Sequence, residues 1–362
     1  MALSDFCEKA SMRASDAAKR FGVEHLILNA PMPGAATPMM TAAVSEAGGL
    51  GVLAAQRLAP DEIESAGRAV QALTGRPFAV ALEVPPRKAP DIASAMTLFD
   101  GLTPLLADLS LPTDPKHYGI CEGVDREARF KAQFEAALAL KPSAMLSTCG
   151  GFRECYAEAL ESSGIRNLGV ATTLREAKVL RAADVDAVVV QGLEAGGQRS
   201  NFEDPASAGV GAALLTSMVA QATGLPVVSA GGIVSAELAA GLLAAGASGV
   251  MLGTALLTTE ESALKAQARQ AAQWAGASDT LTTKLFTGRL SRVLKGPLVE
   301  SLQDYEAYAA DWPLPAALFD AIESRARLLG REELLVLPAG LGLGRSRWMT
   351  AGEAVRAVAA AF

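Results

Sequence analysis

Residues 225–258, LPVVSAGGIVSAELAAGLLAAGASGVMLGTALLT, read as two strand-to-loop-to-helix units in succession. Pro226 to Ser229 form a short apolar run of the kind a strand buried on both faces presents, and it stops at Gly231-Gly232. A helix is predicted from Ser235, placed as its N-cap, to Ala245, with Gly246 at the C-cap position. Residues 249–252 are the next buried strand and end in a second small-residue turn, Gly253-Thr254. Two such turns at the carboxyl ends of neighbouring parallel strands leave backbone N–H groups free and let an anion come close. The pair therefore reads as a phosphate cradle. The competing reading is that any αβ repeat needs glycine turns.

The same alternation recurs upstream. Apolar strands are predicted at 25–29, 50–54, 77–82, 143–147, 167–171 and 187–191, separated by helical segments. Thr37 before Pro38 has the look of an N-cap followed by proline in the first helical turn, and Thr172-Thr173 cap a later helix. With the two strands of the opening stretch the count reaches eight, which predicts an α/β chain folded as a closed (β/α)8 TIM barrel; an open doubly wound sheet is the alternative. Residues 88–139 are too long and too proline-punctuated for one crossover helix, so an insertion is expected after the third strand, with a cover over the active-site face as one role. The barrel with its insertion should occupy 1–258. Residues 259–362 are expected as a mostly helical C-terminal extension packed on it, with helices at 260–277 and 305–331, an irregular basic stretch at 284–295, and a terminal helix from Thr350.

Composition narrows the function classes. The chain has 362 residues, 50% of them hydrophobic and 20% charged, with a mean hydropathy of +0.25. That is enough apolar material for a large core. A net charge of −7 and a pI near 5.1, with no local Lys/Arg cluster, offer nothing to nucleic acid or an anionic membrane. Cys7, Cys121, Cys149 and Cys155 form no CxxC pair and read as free thiols of a reducing compartment. Residues 1–20 lack an apolar core, and no stretch is suited to span a bilayer, so the expected location is the cytoplasm.

In a barrel of this type the carboxyl ends of the strands converge on one site. That rule selects Met32, Ala81, Ser147, Ala171-Thr172, Gln191 to Arg199, Ser229 to Gly232 and Gly253-Thr254. Of these only Glu194 and Arg199 are charged. His25 starts the first strand, at the opposite end of the barrel, and His117 lies in the insertion, so neither is placed for chemistry unless the insertion folds over the mouth. No Cys/His/carboxylate cluster forms a metal site. A mouth poor in acids and bases but equipped with a phosphate cradle implies that a cofactor carries the reaction. The loop QGLEAGGQR, residues 191–199, can lie against a flat ring, since paired glycines allow close approach and both glutamines can hydrogen-bond. The plainer reading is a flexible connection.

Several of these segments resemble one family. QGLEAGGQ at 191–198, SAGGI at 229–233, GVMLGTALLTTEES at 249–262, APMPGAATPMMTAAVSEAGGLG at 30–51 and FTGRLSR at 286–292 are together similar to the nitronate monooxygenase family. Its members, also called 2-nitropropane dioxygenase-like, are FMN-dependent TIM-barrel flavoproteins related to flavin-dependent enoyl-ACP reductases and NADH:quinone reductases. The resemblance runs in order from Leu28 to about Arg292. It implies an isoalloxazine near Pro31-Met32, Gln191 and Gly196-Gly197, an FMN phosphate on Gly231-Gly232 and Gly253-Thr254, and further cofactor contacts from Ala81, Glu194 and Ser229.

Two positions depart from the family pattern. The motif usually reads EAGGH, with a histidine as catalytic base or hydrogen-bond donor, and here that position is Gln198. A carboxamide takes no proton at neutral pH, so this residue cannot deprotonate a neutral nitroalkane, whereas a preformed nitronate needs no base. At Ala81, on the third strand end, many members carry asparagine, and one polar contact to flavin or substrate is lost. The resemblance thus implies an FMN-dependent oxidation of a small organic anion by O2, with Gln198 and Arg199 orienting it. An NAD(P)H-dependent reductase of enoyl thioesters or quinones and a non-catalytic flavin-binding partner subunit are the alternatives, and any of them is compatible with a homo-oligomer.

Overall fold

The computed structural model describes residues 3–121, 124–203, 209–345 and 348–362, with side chains from residue 8 onward. Its strands in chain order are β1 (Ile27–Asn29), β2 (Gly51–Ala54), β3 (Phe78–Glu83), β4 (Ala144–Thr148), β5 (Arg166–Ala171), β6 (Ala187–Gln191), β7 (Gly197–Gln198), β8 (Val227–Ala230), β9 (Gly249–Leu252), β10 (Thr280–Thr283) and β11 (Ser291–Leu294). All but β7, β10 and β11 form one parallel sheet, in the order β1-β9-β8-β6-β5-β4-β3-β2. The two ends of that order meet where Leu28 bridges Leu50, which closes the ring. The chain is a (β/α)8 barrel, and each barrel strand lies within two residues of its predicted position.

Period-two alternation sorts the strand residues. Leu28, Val52, Ala79, Ala81, Leu146, Val170, Val189, Val228 and Met251 fill the barrel interior. Their neighbours Val80, Leu82 and Met145 face outward, against Ile63, Val70, Phe130 and Phe134 of the helical layer. At the β1–β2 seam a side chain stands in for the missing ladder. The Asn29 carboxamide donates to the Val52 carbonyl at 2.8 Å and accepts from the Val52 N–H at 2.7 Å.

The helices are α1 (Leu3–Phe21), α2 (Pro38–Glu46), α3 (Pro60–Leu73), α4 (Ile92–Asp108), α5 (Arg126–Ala139), α6 (Glu154–Ser162), α7 (Leu174–Ala182), α8 (Ala212–Thr223), α9 (Ala236–Ala245), α10 (Ala266–Trp274), α11 (Pro297–Ser301), α12 (Leu314–Leu329) and α13 (Ala351–Ala359). Thr37 caps α2 as predicted, accepting from Met40 N at 3.1 Å, and its hydroxyl donates to the Glu261 carbonyl at 2.7 Å.

Three expectations need correction. Helix α5 packs on α3 and β3 through Phe130, Phe134 and Ala137, so it is the ordinary crossover helix between β3 and β4. The inserted part is the shorter stretch before it. The basic stretch 284–295 is not wholly irregular, because β11 pairs antiparallel with both β10 and β7. The helical segments are also shorter: α10 covers only Ala266–Trp274, and a 3-10 turn, Gln303–Tyr308, precedes α12. The loop after β6, expected to end near Asp204, has that end outside the described residues.

The segments outside the barrel pack in two places. Helix α4 sets Leu98, Phe99, Leu102 and Leu106 against Leu298, Leu302, Leu318, Phe319 and Ile322, so the inserted helix and the region after β9 share one core. The chain then returns, and α13 lays Ala351, Ala354, Val355 and Val358 on α2 and α9, occupying the place of an eighth barrel helix.

Candidate active site

The glycine turns after β8 and β9 are built as an anion cradle requires. Gly231 has φ +119° and Gly232 φ +73°, conformations that L side chains rarely adopt. A Cβ on Gly231 would come within 3.0 Å of Ala195 N, and one on Gly232 within 3.2 Å of the Glu194 Cβ. Among the described residues, the N–H groups of Gly231, Gly232, Gly253 and Thr254 donate to no protein acceptor. Met32 and Ala30 lie against Gly253, so the loop after β1 borders the same turn. The Pro31 carbonyl is used locally, accepting from Gln56 Nε2 at 3.3 Å.

The loop after β6 is held from below by its own polar side chains. Gln191 Nε2 donates to the Gln198 carbonyl and its Oε1 accepts from Ser200 N, both at 2.9 Å. Arg199 is buried and donates to the carbonyls of Gln191 and Gly192, each at 2.9 Å. Its guanidinium therefore clamps the loop, and burial lowers its proton affinity from the ordinary arginine value. Glu194 accepts from Ala212 N at 2.9 Å, placing a carboxylate on the N-terminus of α8. Neither charged side chain singled out in the sequence is thereby free to face the mouth.

The C-terminal region supplies the rest of the support. Leu341 N donates to the Glu194 carbonyl at 2.9 Å and Gly340 N to Thr254 Oγ1 at 2.8 Å. Gly196 lies so close to this segment that a Cβ would fall 2.4 Å from the Ala339 and Gly340 backbone. Sequence reasoning assigned residues 337–344 no role; their glycines are the signal that another backbone packs there.

Two other predicted positions do not reach the mouth. The Ser229 hydroxyl accepts from Thr216 Oγ1 at 2.9 Å, and the residue is fully buried on the outward face of β8, toward α8. Ala81 lies within the barrel interior, one inward position below the strand end. That end is Glu83, in phase with Ala79 and Ala81, and sequence reasoning missed it by closing the third strand one residue early.

Glu83, Cys149 and Gln198 form one cluster. Glu83 Oε2 accepts from Gln198 Nε2 at 2.9 Å and from Cys149 Sγ at 3.8 Å, and Gln198 Nε2 lies 3.3 Å from Cys149 Sγ. Cys149 follows β4 with φ 61°, a left-handed conformation that costs a residue with a Cβ about 1 kcal/mol or more. Burial, reinforced by the Glu83 carboxylate, pushes its thiol up to about 12. Below that pH the proton stays on sulfur. Iodoacetamide at pH 8 should therefore modify exposed Cys155 and leave Cys149 intact, as peptide mass spectrometry reads; ready labelling of Cys149 would contradict its placement. Cys155 and Cys121 are free thiols as expected, and the side chain of Cys7 lies outside the described residues.

The histidines stay apart from this cluster. His25 packs edge-on against Phe362, with ring centroids 5.5 Å apart, and His117 is exposed on the inserted segment. Among the described residues no group of three or more His, Cys, Asp or Glu could hold a metal ion, and no helix is long and apolar enough to cross a membrane.

A parallel (β/α)8 barrel with a glycine cradle on two strand ends and a polar cluster across the mouth has the layout of a barrel enzyme whose site lies at the carboxyl ends of its strands. The family model for nitronate monooxygenase matches residues 15–359, and the chain belongs to that family of oxidoreductases. A probable nitronate monooxygenase of Staphylococcus aureus (strain JH9) is 30% identical over 320 residues, 88% of each chain. Among solved structures, a nitroalkane oxidase from Streptomyces ansochromogenes is 32% identical with a TM-score of 0.85, over 95% of this chain and 97% of that one. FabK from Thermotoga maritima shares the fold at 23% identity, with a TM-score of 0.74 over 97% and 95% of the two chains. Family and neighbours together suggest a flavin cofactor.

Proposed function

We propose that the chain binds FMN and oxidises small nitro compounds at the nitronate level with O2. The observation that carries this reading is the four unpartnered N–H groups on the turns after β8 and β9. They fit a dianionic phosphate, since backbone donors fixed by glycine turns need no reorganisation to receive it. When bound, FMN supplies two-electron chemistry and the reaction with oxygen. Gln191 and Arg199 would fix the loop that borders the flat ring, and Gly196 lets residues 339–340 brace that loop from behind. Gln198 would border the substrate, its carboxamide held in place by the N–H groups it donates to Glu83 and Cys149.

The test is anaerobic reduction of the yellow protein. Bleaching by an alkyl nitronate, reversed on admitting air, supports the assignment. Rapid bleaching by NAD(P)H with none by nitronates would reassign the chain to the reductase alternative.

A further inference from the structure

In the ring, β3 lies four strands from β8, and β4 lies four strands from β9. Glu83 at the end of β3 and Cys149 just after β4 therefore stand across the mouth from the glycine turns. A flat group anchored by its phosphate at those turns would extend toward this rim. Gln198, although it belongs to the loop after β6, reaches the same rim and bonds to Glu83. Substrate stacked on that group would lie beside the Glu83 carboxylate, which is partly exposed and directs only Oε2 to its protein donors. Its Oε1 has no donor among the described residues.

The other polar members of the rim cannot accept a proton. The Gln198 carboxamide is not basic, and the Cys149 sulfur keeps its proton and donates to Glu83. We infer that Glu83 is the catalytic base of this site, taking the α-proton of a neutral nitroalkane so that the enzyme makes its own nitronate. The α-C–H bond breaks, its proton passes to Glu83 Oε1, and its electron pair moves onto the nitro group, leaving a nitronate anion and a carboxylic acid. The Gln198 N–H and the Cys149 S–H hold Oε2 in place and orient the carboxyl group. Neutral nitro compounds with an α-hydrogen are then substrates, despite the absence of a histidine at position 198. This rests on the nitronate reading above for what happens next, but the proton step is measured separately.

The experiment follows exchange of the α-hydrogens of nitroethane in deuterated buffer by NMR, with the FMN-loaded protein under nitrogen. The wild type should speed exchange over buffer, and Glu83→Gln should lose that acceleration by on the order of 100-fold while its visible spectrum shows FMN still bound. Glu83→Asp keeps the carboxylate, set back by one methylene, and should fall between the two. Exchange by Glu83→Gln equal to wild type, or none by a wild type that oxidises ethyl nitronate, overturns the assignment. A wild type that exchanges nitroethane but does not oxidise its nitronate sinks the proposed function and leaves Glu83 as the base.

Discussion

Gly231→Val should weaken FMN binding by on the order of 100-fold to 10,000-fold, measured by fluorescence titration of the refolded apoprotein. The backbone at Gly231 has φ +119°, and a Cβ would meet Ala195 N at 3.0 Å, so the turn after β8 must change course. Displacing the Gly231 and Gly232 N–H groups removes two charge-assisted hydrogen bonds, each worth about 1.5–3 kcal/mol. Together they account for that range through the equilibrium constant, at about 1.4 kcal/mol per tenfold change. Gly241→Ala is the matched control. It lies in α9 with nothing within 4 Å of an added Cβ, so FMN affinity should stay as in the wild type. Equal affinities in both variants would place the phosphate elsewhere.

The second large effect concerns the barrel rather than its cofactor. Asn29→Leu should lower unfolding stability by about 2–4 kcal/mol in urea denaturation, because its carboxamide extends the single backbone bridge that joins β1 to β2. Asn29 is fully buried, and its removal leaves the Val52 N–H without an acceptor in the dry interior. The Val52 carbonyl is partly protected, since Thr41 Oγ1 also donates to it at 3.2 Å. Asn29→Asp keeps an acceptor for Val52 N but loses the donor and buries a charge, so it should also destabilise. A loss below about 1 kcal/mol for the leucine variant would mean that the Leu28–Leu50 bridge alone holds the seam.

The barrel was legible because its signals are local. Each buried parallel strand is an unbroken apolar run that ends in a turn residue, and the caps at Thr37, Thr173 and Ser235 all accept from the backbone N–H three residues on. What escaped depends on partners distant in the chain. β7 is a strand only because β11, some ninety residues later, offers an edge to Gly197 and Gln198. Helix α4 could not be matched to its partners around Phe319 from sequence, since two amphipathic faces do not announce each other.

The active-site reading divides in the same way. The glycine turns carried their own evidence, whereas Arg199 and Glu194 were read as available charges when each is committed to the backbone of its surroundings. Glu83 was within reach of period-two reasoning from Ala81. Cys149 was not, because nothing in the sequence marks a cysteine with a left-handed backbone beside a carboxylate from the neighbouring strand. Its position changes the chemistry assigned to the loop: Gln198 is one arm of a three-residue cluster, and the basic group in that cluster is a carboxylate.

The most direct measurement is the absorption spectrum of the purified protein, followed by chromatography of what heat denaturation releases. The account predicts a yellow protein with the two visible bands of an oxidised flavin and release of FMN in near-equimolar amount. A colourless protein that gains no flavin spectrum when incubated with FMN would contradict it.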